Sequence, residues 1–357
     1  MKNPKFILSG GGTGGHIFPA VAIANELKNV YPNAQFLFIG ALGRMEMEKI
    51  PAEGYEIIGL PVQGLKRKLS IANIKVAWSF IKSYFKAKQI INKFKPNAAI
   101  GTGGYVSLPV LYAAQSKKIP TLIWEGNGYA GLANKILSKK ATIISTGLPH
   151  MDTFFPKEKI HFTGNPIRQS ILEPIDKTVA QNHFNLDSTK KTVFITGGSL
   201  GAKNINKGIK ASLQELHNQN IQVIWQTGKS YTDPVDKKFG HTSQFIYEMN
   251  MAYNAADIVV SRAGALSISE ICALYKPAIL IPSPNVTDDH QTKNALALSE
   301  KEAAILLPDS DYALLGKLII DTLSNQEKMD SLTKAIKPFA KLKSTENIVK
   351  LIGKMIA

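Results

Sequence analysis

At 357 residues, with 43 Lys plus Arg against 27 Asp plus Glu, the chain is long enough for two ordinary domains and carries a formal charge of +16. That excess points to an anionic partner: nucleic acid, acidic lipid head groups or a phosphorylated substrate, with the sign alone choosing none of them. The single cysteine, Cys272 in Ile271-Cys272-Ala273-Leu274, excludes an internal disulfide, fits a reducing compartment and reads as a small buried hydrophobe.

Phe6-Ile7-Leu8 reads as a strand that glycines cut off too early for a signal peptide. The loop Gly10-Gly11-Gly12-Thr13-Gly14-Gly15-His16 follows, then a helix through Pro19 to Lys28. Such a loop lets backbone N–H groups approach phosphates at a helix N-terminus. It contains G-x-G-x-x-G at Gly10, Gly12 and Gly15, but the next strand ends Phe38-Ile39-Gly40-Ala41, without the acid that holds a dinucleotide ribose. NAD or FAD binding is therefore disfavoured. His16 has two open readings: a capping or core histidine, or a general base beside a phosphate loop.

Between Glu56 and Glu125 no acidic residue occurs, while lysines and Arg67 recur. Ile74, Trp78, Ile81 and Phe85 fall at i, i+4, i+7 and i+11, one helical stripe among lysines. A basic amphipathic helix with aromatic residues reads as an anchor on an anionic membrane surface. A stripe buried in the core is the competing reading. No run reaches the roughly 18 apolar residues of a spanning helix, so membrane contact is expected to be peripheral. Nucleic acid is disfavoured, because no nucleic-acid-binding motif accompanies the charge.

Ala98-Ala99-Ile100 runs into Gly101-Thr102-Gly103-Gly104, and strands at Thr121–Trp124 and Thr142–Ser145 follow. After a hinge near Phe162–Pro166 a second series begins. Val193-Phe194-Ile195-Thr196-Gly197-Gly198 echoes Phe6-Ile7-Leu8-Ser9-Gly10-Gly11. Strands alternating with helices in two series predict two Rossmann-like α/β domains with parallel sheets. The domains are expected at 1–163 and 164–335, with a C-terminal helical segment, 336–357, packing back on the first. In Gly197-Gly198-Ser199-Leu200-Gly201-Ala202, Ser199 adds a hydroxyl for phosphate. In Ser261–Glu270, small residues open a helix, and Glu270 has two open readings: an acceptor for ribose hydroxyls, or a solvated glutamate on an ordinary capped helix. Gln291 and Asn294 share a helix face, and amide pairs suit sugar hydroxyls. Asp288-Asp289 and Asp309-Ser310-Asp311 read as solvated or capping acids, and no His/Cys cluster has metal spacing.

Taken in order, Gly11–Pro19, Gly101–Ser107, Gly164-Asn165-Pro166-Ile167-Arg168, Gly197–Ala202 and Gly264–Glu270 resemble the peptidoglycan N-acetylglucosaminyltransferase family that converts lipid I to lipid II. The resemblance implies a GT-B glycosyltransferase fold with an interdomain cleft. It implies inverting transfer of GlcNAc from UDP-GlcNAc to undecaprenyl-linked lipid I, on the cytoplasmic side of the membrane and alongside other cell-wall synthesis proteins. It implies no cofactor and no metal for the chemistry. Carried over residue by residue, His16 and Glu270 become the catalytic candidates, with Glu270 on the ribose. Thr13, Gly14, Gly15, Asn127, Arg168, Ser199 and Ile246 line the substrate sites. So do Ala265, Leu266, Ser267, Ile268, Ser269, Gln291 and Asn294. The family's basic, apolar membrane patch corresponds to Ile74, Trp78, Ile81 and Phe85. Its usual His-Glu-Gln-Asn is Trp124-Glu125-Gly126-Asn127 here, and its usual phosphate threonine is Ser267. Two alternatives stand beside this one: another GT-B transferase with a lipid acceptor such as diacylglycerol, and a basic nucleic-acid-binding protein on a Rossmann scaffold.

Overall fold

The computed structural model describes residues 3–64, 72–167, 169–198, 200–286 and 289–357, and the side chains of residues 72–75 and 169 also fall outside the description. Two compact units emerge, Met1–Ile167 with Lys343–Ala357, and Arg168–Leu342.

The first unit alternates strand and helix. In chain order these are β1 (Lys5–Gly10), α1 (Gly14–Val30), β2 (Gln35–Ala41), α2 (Glu46–Ala52), β3 (Ile57–Leu60), α3 (Ala72–Phe94) and β4 (Ala98–Gly103). Then come α4 (Ser107–Ser116), β5 (Thr121–Glu125), α5 (Leu132–Ser138), β6 (Ile143–Thr146) and β7 (Ile160–Phe162). The strands form one sheet in the order β3-β2-β1-β4-β5-β6-β7, each pair parallel. Every residue of β4 and β5 is buried, as expected for parallel strands covered by helices on both faces. The edge strand β3 is tied down from α3: Ser79 Oγ donates to Pro61 O at 2.6 Å, and Lys86 Nζ to Gly59 O at 3.0 Å.

The second unit runs α6 (Gln169–Leu172), α7 (Lys177–His183), β8 (Lys191–Thr196), α8 (Lys203–Asn218), β9 (Ile221–Gln226), β10 (Gly240–Ser243), α9 (Met249–Ala255) and β11 (Ile258–Ser261). It continues with α10 (Ala265–Ala273), β12 (Ala278–Leu280), α11 (His290–Ser299), β13 (Ile305–Leu306), α12 (Leu315–Leu323) and α13 (Gln326–Ile336). Its sheet order, β10-β9-β8-β11-β12-β13, is again all parallel. Trp225, Phe194 and Tyr253 are its largest fully buried side chains. Cys272 is also buried, which pushes its thiol up to about 12.

The lysine-rich C-terminal segment divides between the units. Helix α13 stays with the second, whereas α14 (Ser344–Ile356) packs against α1 in the first. Ser344 Oγ donates to Asn165 O at 2.5 Å.

In each sheet the order reverses once, between β1 and β4 and between β8 and β11. Ligands of open α/β sheets bind at the carboxyl ends of strands beside that reversal. The loops there are residues 11–13 and 104–106 in the first unit, and 197–202 and 262–264 in the second.

Candidate functional site

In the first unit the glycine loop after β1 is held from three sides. Gly11 N donates to Gly103 O at 3.4 Å, and Thr102 Oγ1 donates to His16 O at 2.7 Å. The third support is Glu46, fully buried at the start of α2, whose Oε2 accepts Gly12 N–H and Oε1 accepts Ala41 N–H, both at 3.0 Å. Gly104 has φ of +80°, and a Cβ there would fall on Gly11 O, so only glycine lets the two loops touch. His16 stands in the first turn of α1, half-buried, with Nδ1 3.0 Å from Gly11 O and 3.4 Å from Thr13 Oγ1. A carbonyl only accepts, so Nδ1 carries the proton in that contact, and in a neutral imidazole the lone pair lies on Nε2.

The loop after β5 is organised by the buried carboxylate of Glu125. Its Oε1 accepts Asn127 N–H at 3.2 Å and Asn127 Nδ2 at 3.4 Å, while Oε2 accepts Gly131 N–H at 2.9 Å and Asn134 Nδ2 at 3.0 Å. Asn127 is therefore held half-exposed at the carboxyl end of the sheet.

In the second unit Thr196 Oγ1 accepts Gly198 N–H at 3.1 Å, and Gln226 Nε2 bridges Thr196 Oγ1 and Gly198 O, each at 3.1 Å. Gln226 Oε1 accepts the Ile246 N–H at 2.9 Å. Ile246 is buried and its N–H is thereby engaged within the unit. Helix α10 opens on Gly264, whose missing side chain takes none of the first-turn N–H groups. The caps of α1 and α8, Thr13 and Ala202, likewise make no side-chain cap bond, and none of the three helices has an acid in its first turn. By contrast Asp176 caps α7 and Asn325 caps α13 through their side chains. Three helix N-termini at the switch points thus favour an anion.

Glu270 is half-buried, and its Oε2 accepts the Tyr253 hydroxyl at 3.0 Å. Ala265, Leu266 and Ser267 form the first turn of α10. Ile268 is buried in the core, and Ser269 Oγ donates back to Ala265 O at 2.9 Å. Gln291 Oε1 accepts Ser283 N–H at 2.9 Å, so the Nε2 end of the amide is its donor. Asn294 shares that helix but is fully buried, with Nδ2 donating to Ala263 O at 3.2 Å. It therefore braces the segment before α10 and presents no surface to a sugar. Arg168, Ser199, Asp288 and the Ile74 side chain lie outside the described residues.

One further expectation changes. Asp309 is not a solvated acid: it pairs with Arg262 at 2.6 Å, each side chain largely covered, and accepts Asn204 Nδ2 at 2.7 Å. Arg262 also donates to Ile281 O and Pro282 O, so its charge is spent inside the unit. Of the two readings of the α3 stripe, the buried one is excluded and the outward-facing one holds: Trp78, Ile81 and Phe85 are 61 %, 44 % and 56 % exposed. Sequence reasoning also missed Glu46, Gln226 and Tyr253. Gln226 ends a strand, the one signal it offered. Glu46 and Tyr253 sit in helices as ordinary residues.

Models of the glycosyltransferase family 28 N-terminal and C-terminal domains match residues 6–146 and 192–351. A Cytophaga hutchinsonii protein is 49 % identical over 361 residues, covering 100 % of this chain and 98 % of its own length. A Parabacteroides distasonis protein is 46 % identical over 365 residues, covering 100 % and 99 %. Both are named UDP-N-acetylglucosamine–N-acetylmuramyl-(pentapeptide) pyrophosphoryl-undecaprenol N-acetylglucosamine transferase. Among solved structures, Acinetobacter baumannii MurG superposes with a TM-score of 0.78 at 28 % identity, covering 98 % of this chain and 99 % of that one. The calicheamicin glycosyltransferase CalG4, at 0.72 and 11 % identity over 100 % and 99 %, shares the fold.

Proposed function

The chain belongs to glycosyltransferase family 28, and from that premise we propose that it transfers N-acetylglucosamine from UDP-GlcNAc to the C4 hydroxyl of MurNAc in undecaprenyl-diphospho-MurNAc-pentapeptide, making lipid II from lipid I. The observation that carries this reading is 49 % identity over the whole chain to a relative named for that transfer.

The chemistry is one displacement with inversion. The C4 oxygen attacks C1 of GlcNAc while His16 Nε2 takes its proton; the bond from C1 to the diphosphate oxygen breaks on the opposite face, and UDP leaves. A lone pair on Nε2 follows from the Nδ1 contact to Gly11 O. Leaving-group charge falls on the first-turn amides Ala265, Leu266 and Ser267, with Ser199 and Arg168, an arrangement that calls for no metal. Glu270 holds the ribose, Ile246 O the base, and Gln291 the GlcNAc hydroxyls. Thr13, Gly14, Gly15 and Asn127 line the acceptor side, with lipid I delivered from the cytoplasmic face of a membrane. The exposed stripe on α3 supports a peripheral attachment, and no helix among the described residues is long and apolar enough to cross a bilayer.

The test is transfer of radiolabelled GlcNAc from UDP-GlcNAc to a short-chain lipid I analogue, with and without EDTA. Labelled lipid II in both arms is expected. No label in lipid II, or label only in diacylglycerol offered as the alternative acceptor, would overturn the reading.

A further inference from the structure

The first glycine loop contains a charge that its sequence does not announce. Glu46 lies 34 residues beyond Gly12, yet its carboxylate sits against the loop with no exposed surface. The loop and strand β2 are shaped around it: a Cβ on Gly11 would fall on Glu46 Oε1, and one on Gly40 would come within 2.7 Å of Glu46 Cγ. Both oxygens are engaged, each by a backbone N–H at 3.0 Å.

The N–H of Gly12 and the C=O of Gly11 belong to one planar peptide group. At one end that group donates to Glu46 Oε2; at the other it accepts from His16 Nδ1 at 3.0 Å. Fixing the N–H end fixes the direction of the carbonyl. A carboxylate drawing on the N–H also polarises the carbonyl toward the imidazole, because hydrogen bonds in series strengthen one another. Carboxylate, peptide and histidine therefore form one line, the peptide standing where a direct acid–histidine contact stands in a hydrolase triad.

We propose that Glu46 is a positioning residue for His16, acting through the Gly11–Gly12 peptide to hold the imidazole in its Nδ1–H tautomer with Nε2 as the proton acceptor. The assignment of a catalytic purpose to this relay rests on the glycosyl-transfer reading; the relay itself rests on the geometry. Glu46 touches no reacting atom. It leaves the amides of Thr13, Gly14 and Gly15 to the ligand and takes Gly12 for itself.

The substitution that separates the idea from simple packing is Glu46→Gln. Its volume is unchanged, but one oxygen becomes an NH2 that faces a backbone N–H, so one of the two bonds is lost whichever way the amide turns. The expected result is a fall in kcat for GlcNAc transfer of about 10-fold or more, with the KM for UDP-GlcNAc within about 2-fold of wild type. In parallel, ring nitrogen-15 spectra of histidine-labelled protein, with the His16 signals assigned by their loss in His16→Gln, report the tautomer directly. Wild type is expected in the Nδ1–H form and Glu46→Gln in a mixture. Wild-type kcat in a folded Glu46→Gln, or a wild-type His16 in the Nε2–H form, would overturn the proposal. The wild-type spectrum decides even where Glu46→Gln does not fold. A wild-type protein with the Nδ1–H tautomer but no transfer would leave the relay standing and remove the glycosyl-transfer reading.

Discussion

At the scale of single residues, the loop after β5 shows how two departures from a family pattern are one change. Where the resemblance implies His and Gln, this chain carries Trp124 and Gly126. A Cβ on Gly126 would lie 2.5 Å from Trp124 Cη2 and 2.6 Å from Cζ2, and the indole is only 2 % exposed. The ring fills the room that a side chain at 126 would need, and its buried surroundings give it nowhere to go. Forcing atoms into such a site costs about 1–3 kcal/mol. Gly126→Gln alone is therefore expected to lower the unfolding free energy measured in urea by that amount and to disturb Asn127. Trp124→His combined with Gly126→Gln should restore much of the loss, a coupling of about 1 kcal/mol or more between adjacent sites. Additive effects in the denaturation cycle would show that the two positions are independent. The same scale sets the limit of what the sequence discloses. Glycines, His16 and Glu270 stand out because their types and spacing imply a backbone conformation or a chemistry. Glu46 and Asp309 look like any surface acids, because the partners that bury them, Gly12 and Arg262, are 34 and 47 positions away in the chain.

At the scale of the element, α3 carries two stripes, and the periodicity that reveals them does not say which one faces inward. Val76, Ser79, Ser83, Ala87 and Ile91 are buried at spacings of three and four. These small residues let the helix lie close to its neighbours. The larger stripe, Trp78, Ile81 and Phe85, points to solvent among the exposed Lys82, Lys86 and Lys93. An aromatic row continues it onto α4: Phe85 meets Tyr84 edge-on with ring centroids 5.3 Å apart, and Tyr84 meets Tyr112 at 5.8 Å. The stripe was legible in sequence as apolar and helical, and the acid-free, lysine-bearing span around it favoured the outside; the exposures decide against a buried stripe. Exposed apolar groups contribute little to folding, so replacing Trp78, Ile81 and Phe85 with serine should move stability by no more than about 0.5 kcal/mol per site. Binding to vesicles rich in anionic lipid should fall at least about 10-fold, since the apolar insertion is lost while the lysines remain. Cosedimentation measures it; undiminished binding by the folded triple variant would remove the membrane role from this helix.

At the scale of the molecule, the chain builds the same six-strand order twice, with β7 added to the first sheet. That repetition was legible because buried parallel strands and their glycine loops are local signals. The C-terminal helix was legible too, within a few residues: 336–357 was expected on the first unit and α14 lies there, while α13 and the residues up to Leu342 belong to the second. What separates them is the surface each meets: α14 buries Ile348, Val349, Ile352 and Ile356, packs against α1, and ties Ser344 to Asn165. Burying an aliphatic side chain contributes about 1.5–3 kcal/mol, so these four supply about 6–12 kcal/mol to the first unit, as large as the net stability of an ordinary domain. The second unit is continuous from Arg168 to Leu342 and does not include them. Removing residues 343–357 should therefore strip hydrogen-exchange protection from β1, β4 and β5 while β8, β9 and β11 stay protected. UDP-GlcNAc binding to the second unit should outlast the loss. If exchange slowed or quickened equally in both sheets, the last helix would be stabilising the chain as one cooperative body and not the first unit alone.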